Sequence, residues 1–335
     1  MFLRKIFLLI FLVSYLESLD AQINYTNDSL QKKFFGCIHT GGYYDVLRVK
    51  SPYVGFELST ALFGYYSEIS NNISVKLIYD VTRTTSDISV VDSSGTPMNV
   101  FYFEGSNYTA FLKQAEINWE FSKGYELSVG QLLNQQYLTV QDKFWGYRFV
   151  AVSLQEMYRL GNPADFGIRF TRSFTKKIAV SIGSLNGEGP FRKQDTNSDL
   201  LFFINTEYRP ENFILKWYLD YNMIDVLHNS FFVAYKKNRY RIGVEYARID
   251  SSDYTITANA TEAFAMYSSM PFFKNVDFFS RADFLKNIPR YGIKDAYKLY
   301  CGINYKKSTF NTSLNIRFYS LDKSLIFYWQ FGVIF

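Results

Sequence analysis

Leu325-Ile326-Phe327-Tyr328-Trp329-Gln330-Phe331-Gly332-Val333-Ile334-Phe335 is the stretch whose reading decides the fold. Successive side chains of a strand alternate between its faces, so Leu325, Phe327, Trp329, Phe331, Val333 and Phe335 share one face. Gln330 and Gly332 interrupt the other face, and the chain stops on an aromatic residue. A wholly apolar, aromatic face on a final strand is expected where that face meets lipid. The competing expectation is a buried terminal strand of a soluble sandwich, and the rest of the sequence decides between them.

The other terminus reads as an export signal. Arg4 and Lys5 precede an apolar run from Ile6 to Leu16, and Leu19-Asp20-Ala21 precedes Gln22. The run is too short to cross a bilayer as a helix, which takes roughly 20 residues. Residues 1–21 are therefore expected to be a signal peptide, leaving 22–335 as one domain. Arg4, Lys5, Glu17 and Asp20 cancel, so the remainder keeps the net charge of +5. That balance is too mild and dispersed for nucleic acid. Mean hydropathy is −0.11, against a bundle of membrane helices, while 19% of residues are aromatic. Ordinary hydropathy with many aromatics fits strands that alternate between oil and water. Cys37 and Cys301 fall on strands that are not neighbours, and both are expected to be free, buried thiols. His39 and His228 cannot form a zinc site by themselves, and no cofactor is implied.

Period-two alternation recurs along the chain. Ala115, Ile117, Trp119 and Phe121 oppose Glu116, Asn118 and Glu120, and Tyr240, Ile242, Val244 and Tyr246 oppose Arg241, Gly243 and Glu245. Tyr297, Leu299, Cys301, Ile303 and Tyr305 likewise oppose Lys298, Asn304 and Lys306. The pattern places strands at 34–44, 53–69, 73–86, 108–121, 125–132, 164–174, 177–185, 199–209, 213–224, 229–236, 239–250, 261–269, 275–285, 296–306, 309–319 and 324–335. Spacers such as Ser70-Asn71-Asn72 and Ser122-Lys123-Gly124 are short, and they alternate with mostly longer ones near 87–107, 133–163, 186–198, 251–260 and 286–295. Short turns on one end and longer loops on the other mark a transmembrane antiparallel β-barrel of about sixteen strands. The segment 261–269 alternates poorly, so fourteen strands is the alternative.

Sixteen strands enclose an aqueous lumen, whereas eight are filled by side chains. Charges fall on one face of nearly every strand: Glu116, Glu120, Arg169, Lys216, Asp220, Arg241, Glu245, Arg281, Asp283 and Arg317 are expected on the lumen wall. On the lipid face near the midplane each would cost roughly 2–4 kcal/mol. The longest loop, 133–163, is too apolar to sit in solvent, since Phe144, Trp145, Phe149, Val150, Leu154 and Met157 need something to pack against. It is expected to fold into the lumen and constrict it, with Asp142, Lys143, Arg148, Glu156 and Arg159 at the constriction. A strand, or a helix capping the outside, over 147–158 is the other expectation.

Gly130-Gln131 ends one strand, Trp145-Gly146-Tyr147-Arg148 follows in the loop, and Ala164-Asp165-Phe166-Gly167-Ile168 opens the next strand. These motifs resemble the phosphate-selective porin O/P family of Gram-negative outer membranes. The resemblance implies a sixteen-stranded, trimeric passive-diffusion channel with its constriction loop at 133–163. The final strand resembles the closing strand of outer-membrane barrels, which implies Phe335 as part of the signal read by the barrel-assembly machinery. Phosphate selectivity in that family rests on crowded Arg and Lys residues. Here Asp142 and Glu156 stand beside Lys143, Arg148 and Arg159, so a weakly selective pore for small hydrophilic solutes or ions, with mild anion preference, is expected.

Two other classes compete. A barrel enzyme would need a nucleophile and base, yet only His39 and His228 exist, His228 is expected in a tight loop, and no G-x-S-x-G elbow occurs. A plugged barrel acting as adhesin or structural protein would use the same inward charges in ion pairs across a closed interior.

Overall fold

The computed structural model describes residues 31–49, 53–83, 109–136, 138, 140–158, 160–190, 194, 198–222, 226–250, 261–288 and 293–335. The signal segment 1–21, Arg159 and the loops expected at 87–107 and 251–260 lie outside the described residues. Sixteen strands follow one another: β1 (Lys32–Asp45), β2 (Val54–Ser70), β3 (Ile73–Arg83), β4 (Thr109–Ser122), β5 (Tyr125–Leu133), β6 (Ala164–Ser173), β7 (Ile178–Leu185) and β8 (Leu201–Tyr208). Then come β9 (Phe213–Asn222), β10 (Val226–Lys237), β11 (Tyr240–Asp250), β12 (Thr261–Phe273), β13 (Val276–Ile288), β14 (Ile293–Lys307), β15 (Phe310–Tyr319) and β16 (Ser324–Ile334). Each pairs antiparallel with its sequence neighbours, and β1 pairs with β16 to close the ring. Closure leaves no sheet edge with unpaired backbone groups, a condition for a strand structure in lipid. At the seam Gly36 N donates to Phe335 O (2.8 Å) and Phe335 N to Gly36 O (3.0 Å), so the last residue is stitched to the first strand.

The two faces of β16 meet different surroundings, as its alternation predicts. Phe327, Phe331 and Val333 are 42%, 48% and 46% exposed, whereas Ile326 and Gln330 are 0% and 1% exposed. The same outward apolar series runs around the barrel through Phe202, Phe231, Ile242, Leu299 and Ile316. An exposed apolar belt of this extent is unlike the surface of a soluble monomer. Turns leading from an even-numbered strand to the next odd-numbered one are short, as at Lys123-Gly124, and both sheet termini lie at that end. The opposite end carries the long β5–β6 connection.

The weakly alternating segment at 261–269 is a full strand, β12, so the expected count of sixteen holds and the fourteen-strand alternative falls. Other details depart from the sequence reading. His228 lies inside β10, facing inward, rather than in a loop. Cys301 is exposed on the outer face of β14, not buried, while Cys37 is half-buried on β1; both are free. Small size and weak polarity let a thiol sit against lipid as readily as in a core. The β3–β4 register shifts so that Ile78 opposes Gln114 and Tyr79 opposes Leu112, leaving Lys113 as an extra residue. This bulge turns Lys113, which strict alternation would aim at lipid, into the interior.

Candidate functional site

The connection between β5 and β6 enters the barrel. It carries two short helices, α1 (Gln141–Trp145) and α2 (Leu154–Met157). In the sheet, β5 and β6 have only β4 and β7 as outer neighbours. Yet Phe144 packs on Phe232 of β10 with ring centroids 5.3 Å apart, Tyr147 stacks on Phe279 of β13 at 4.5 Å, and Phe149 stacks on His39 of β1 at 4.4 Å. Reaching those walls means crossing the lumen. Val140, Phe144, Trp145, Phe149, Val150 and Leu154 form one apolar core with Phe232, Tyr267, Phe279 and Tyr300 of the far wall.

A loop buried this way must satisfy its backbone polar groups, and the wall supplies the donors. Arg241 donates from Nη1 to the carbonyls of Phe144 (2.9 Å) and Trp145 (3.0 Å). Gln330 donates to Phe149 O (2.7 Å), and Arg281 donates to Val152 O. Lys216 donates to Gln135 O and to Gln141 Oε1 (2.9 Å). Glu245 accepts from Gln155 Nε2 and Tyr267 Oη, both at 2.6 Å. Gly146 ends α1 with φ +71°, and a Cβ there would stand 2.5 Å from Arg241 Nη1. Glycine thus allows both the left-handed turn and the close guanidinium.

The other side of the loop presents charge to β3–β6. Arg148 makes a bidentate pair with Glu156 (2.6 and 2.7 Å) and a contact to Asp142 (3.1 Å). Burial disfavours the guanidinium charge, but Glu156 and then Asp142 outweigh it and push its pKa well up. Lys113 pairs with Asp80 (2.9 Å) and lies 3.7 Å from Glu156. Arg169 lies 3.8 Å from Glu116 and donates to Ser128 Oγ (2.8 Å), with Glu126 nearer the turns. Asp80, Glu116, Asp142 and Glu156 each stand within 4 Å of a cation. Lys143, exposed on α1, and Lys76, half-buried on β3, have no ion pair among the described residues. Lys76 feels Lys143 and Arg169 as like charges and Glu116 as an opposite one. At this level the five cations Lys76, Lys113, Lys143, Arg148 and Arg169 thus stand with four carboxylates, Asp80, Glu116, Asp142 and Glu156, an excess of one positive charge.

The expected constriction residues Asp142, Lys143, Arg148 and Glu156 come together here, and Glu116 and Arg169 face them. Glu120, exposed near the turns, belongs to the mouth. The remaining wall residues point inward but engage the loop or one another. Asp220 pairs with His228 Nδ1 (3.2 Å), whose Nε2 lies 3.2 Å from Gln136. Arg281 and Asp283 form an ion pair with both side chains at 0% exposure, and Tyr158 donates to Asp283 (3.3 Å). Burial, then Asp283, raises the Tyr158 pKa well above its usual value. Arg317 donates to Asn315 (2.9 Å) and lies 3.5 Å over the Tyr328 ring.

Sequence reasoning missed Lys113, although a lysine at lipid parity is itself a sign of a bulge. It also missed why the two strand motifs recur around the loop. Gly130 pairs with Gly167, and Gly130 has φ +123°, where a Cβ would run into the Ala115 carbonyl. Gln131 donates to Leu112 O beside the Lys113 bulge, and Asp165 accepts from the Phe166 N (2.8 Å) and the Gly187 N (2.7 Å). These residues fix the two strands from which the loop springs.

No family model and no curated protein matches this chain. Solved structures do. OmpF of Salmonella typhi, in complex with daunomycin, is similar with TM-score 0.62 at 11% identity, over 91% of this chain and 97% of that one. OmpT, an outer-membrane protein of Vibrio cholerae, gives 0.62 at 11% identity over 93% and 99%. A porin variant of Rh. blastica gives 0.61 at 13% identity over 91% and 100%. The fold is that of the outer-membrane porins.

Proposed function

We propose that this chain is a porin of the Gram-negative outer membrane, a passive diffusion channel for small hydrophilic solutes and inorganic ions with mild anion preference. The observation that carries the reading is the inserted loop. Its apolar side is docked on β10–β14, and its charged side is turned to β3–β6, where Glu156 comes within 3.7 Å of Lys113. The constriction is then the passage between Asp142, Lys143, Arg148 and Glu156 and the wall bearing Lys76, Lys113, Glu116 and Arg169. Lys76 and Lys143 supply the mild anion preference: with them five cations face four carboxylates at this level, and without them the balance would be negative. Nearly balanced charge argues against strong phosphate selectivity, so the likeness to phosphate-selective porins extends to loop placement rather than solute. Residues 1–21 serve as the export signal, Phe335 as part of the assembly signal, and the protein works as a homotrimer, as the resemblance implies.

Single-channel recording of the refolded protein in planar bilayers tests this. Stepwise openings are expected, in threes for a trimer, with a reversal potential on the anion side in a salt gradient. Strong cation preference would refute the charge assignment. The aromatic core beneath the loop also favours a second reading, a plugged barrel acting as adhesin or structural protein. A folded, heat-modifiable barrel that conducts nothing would establish that one.

A further inference from the structure

A cation breaks the apolar outer face of β6 at the turn end. Phe166, Ile168, Phe170 and Arg172 share the outward side of β6, with Arg172 next to its last residue. An outward charge costs about 2–4 kcal/mol at the midplane and about 0–1 near the interface, so this position fits the headgroup level. The Arg172 guanidinium lies 3.6 Å over the Tyr125 ring and 5.6 Å from that of Phe174, and it donates to Lys123 O (3.3 Å). Nearby ion pairs join Arg209 to Glu207 and Arg169 to Glu126, and none among the described residues takes Arg172. Lys123, Lys176 and Lys177, all exposed on the adjoining turns, line a recess of about 810 Å³ with it. Glu120, Glu207 and Arg209 also border the recess, but the Glu120 carboxylate accepts from Gly124 N (3.2 Å) and Glu207 is paired with Arg209, which leaves the four other cations in excess. Below the guanidinium the outer wall is continuous aromatic surface: Trp119, Phe121, Tyr125 and Phe170 have successive ring centroids 5.3 to 6.1 Å apart.

We propose that Arg172, with Lys123 and Lys176, binds the phosphate of an anionic phospholipid in the adjoining leaflet, whose acyl chain lies on Trp119, Phe121 and Phe170. Only an amphiphile matches a cationic head set directly above an apolar wall. A free phosphate would satisfy the head alone, and an acidic soluble peptide would not follow the wall into lipid. The inference rests on the barrel crossing a bilayer, not on its conducting.

Native mass spectrometry of the folded full chain, offered phosphatidylglycerol and phosphatidylcholine in equal amounts, tests it. Retention of phosphatidylglycerol over phosphatidylcholine is expected, falling roughly fivefold with Arg172→Gln and further with Lys176→Gln added, at the usual contribution of a surface cation. Lys237→Gln, at the turn end of the distant β10, should leave the preference intact. Where Arg172→Gln fails to fold, the pair Lys123→Gln and Lys176→Gln, both on turns, carries the test. Equal retention of the two lipids, an equal loss with Lys237→Gln, or displacement by inorganic phosphate alone would overturn the proposal. Failure of the chain to insert into vesicles at all would instead overturn the membrane reading, and flotation separates that outcome.

Discussion

Replacing Lys143 by glutamate should reverse the ion preference of the channel without unfolding it. Lys143 is exposed on α1 and has no ion pair among the described residues, so the exchange removes no packing and strands no buried charge. An ion passing about 6 Å away in a water-like medium feels about 0.7 kcal/mol per unit charge, and salt at 0.1 M roughly halves this. The exchange alters the local charge by two units. An anion is thus disfavoured by about 0.7 kcal/mol and a cation favoured by as much, which changes the permeability ratio about tenfold. The reversal potential in a salt gradient should cross from the anion side to the cation side, with unitary conductance and heat-modifiable mobility little changed. A permeability ratio that stayed within twofold of the parent would mean that ions do not pass Lys143. The passage would then not lie between the loop and β3–β6.

Arg241→Ala removes the donor shared by the Phe144 and Trp145 carbonyls, a loss of about 2–3 kcal/mol from loop docking, and single-channel traces should become noisier and larger while the barrel stays folded. Gly146→Ala should give the same trace by straining the turn and displacing that guanidinium. Lys113→Ala takes away the ammonium 2.9 Å from an Asp80 that is 3% exposed, and should lower barrel stability by about 3 kcal/mol in thermal denaturation. Adding Asp80→Ala should restore most of that loss. In vesicles, Cys301 should react with a lipid-soluble maleimide and resist a charged one, because it lies on the outer face; fast labelling by the charged reagent would contradict the face assignment.

What was legible in the sequence was local. In β16 alternation alone separates Phe327 and Phe331 from Gln330, because a strand sends neighbouring side chains to opposite faces whatever else the chain does. The apolar content of 133–163 likewise announced that the loop needed a surface. The surface itself was not legible: Gln155 meets Glu245 90 residues away, and Arg281 meets Val152 129 residues away. Inward orientation is a property of one strand, while partnership depends on how the whole ring closes. That is why Arg281, Asp283 and Glu245 were foreseen on the wall and not as the bed of the loop.

Backbone irregularities marked the other limit. One inserted residue in β4 reverses the face of Lys113, and a period-two count carries straight past it. By itself, then, the sequence determined a barrel with an oily outside, a polar inside, about sixteen strands and one long loop too apolar for solvent, since two solvents impose their pattern residue by residue. The tertiary structure alone decided which wall the loop docks on and which charges are spent holding it. It alone left Lys76 and Lys143 without ion-pair partners among the described residues, because only closing the ring brings distant residues within pairing distance.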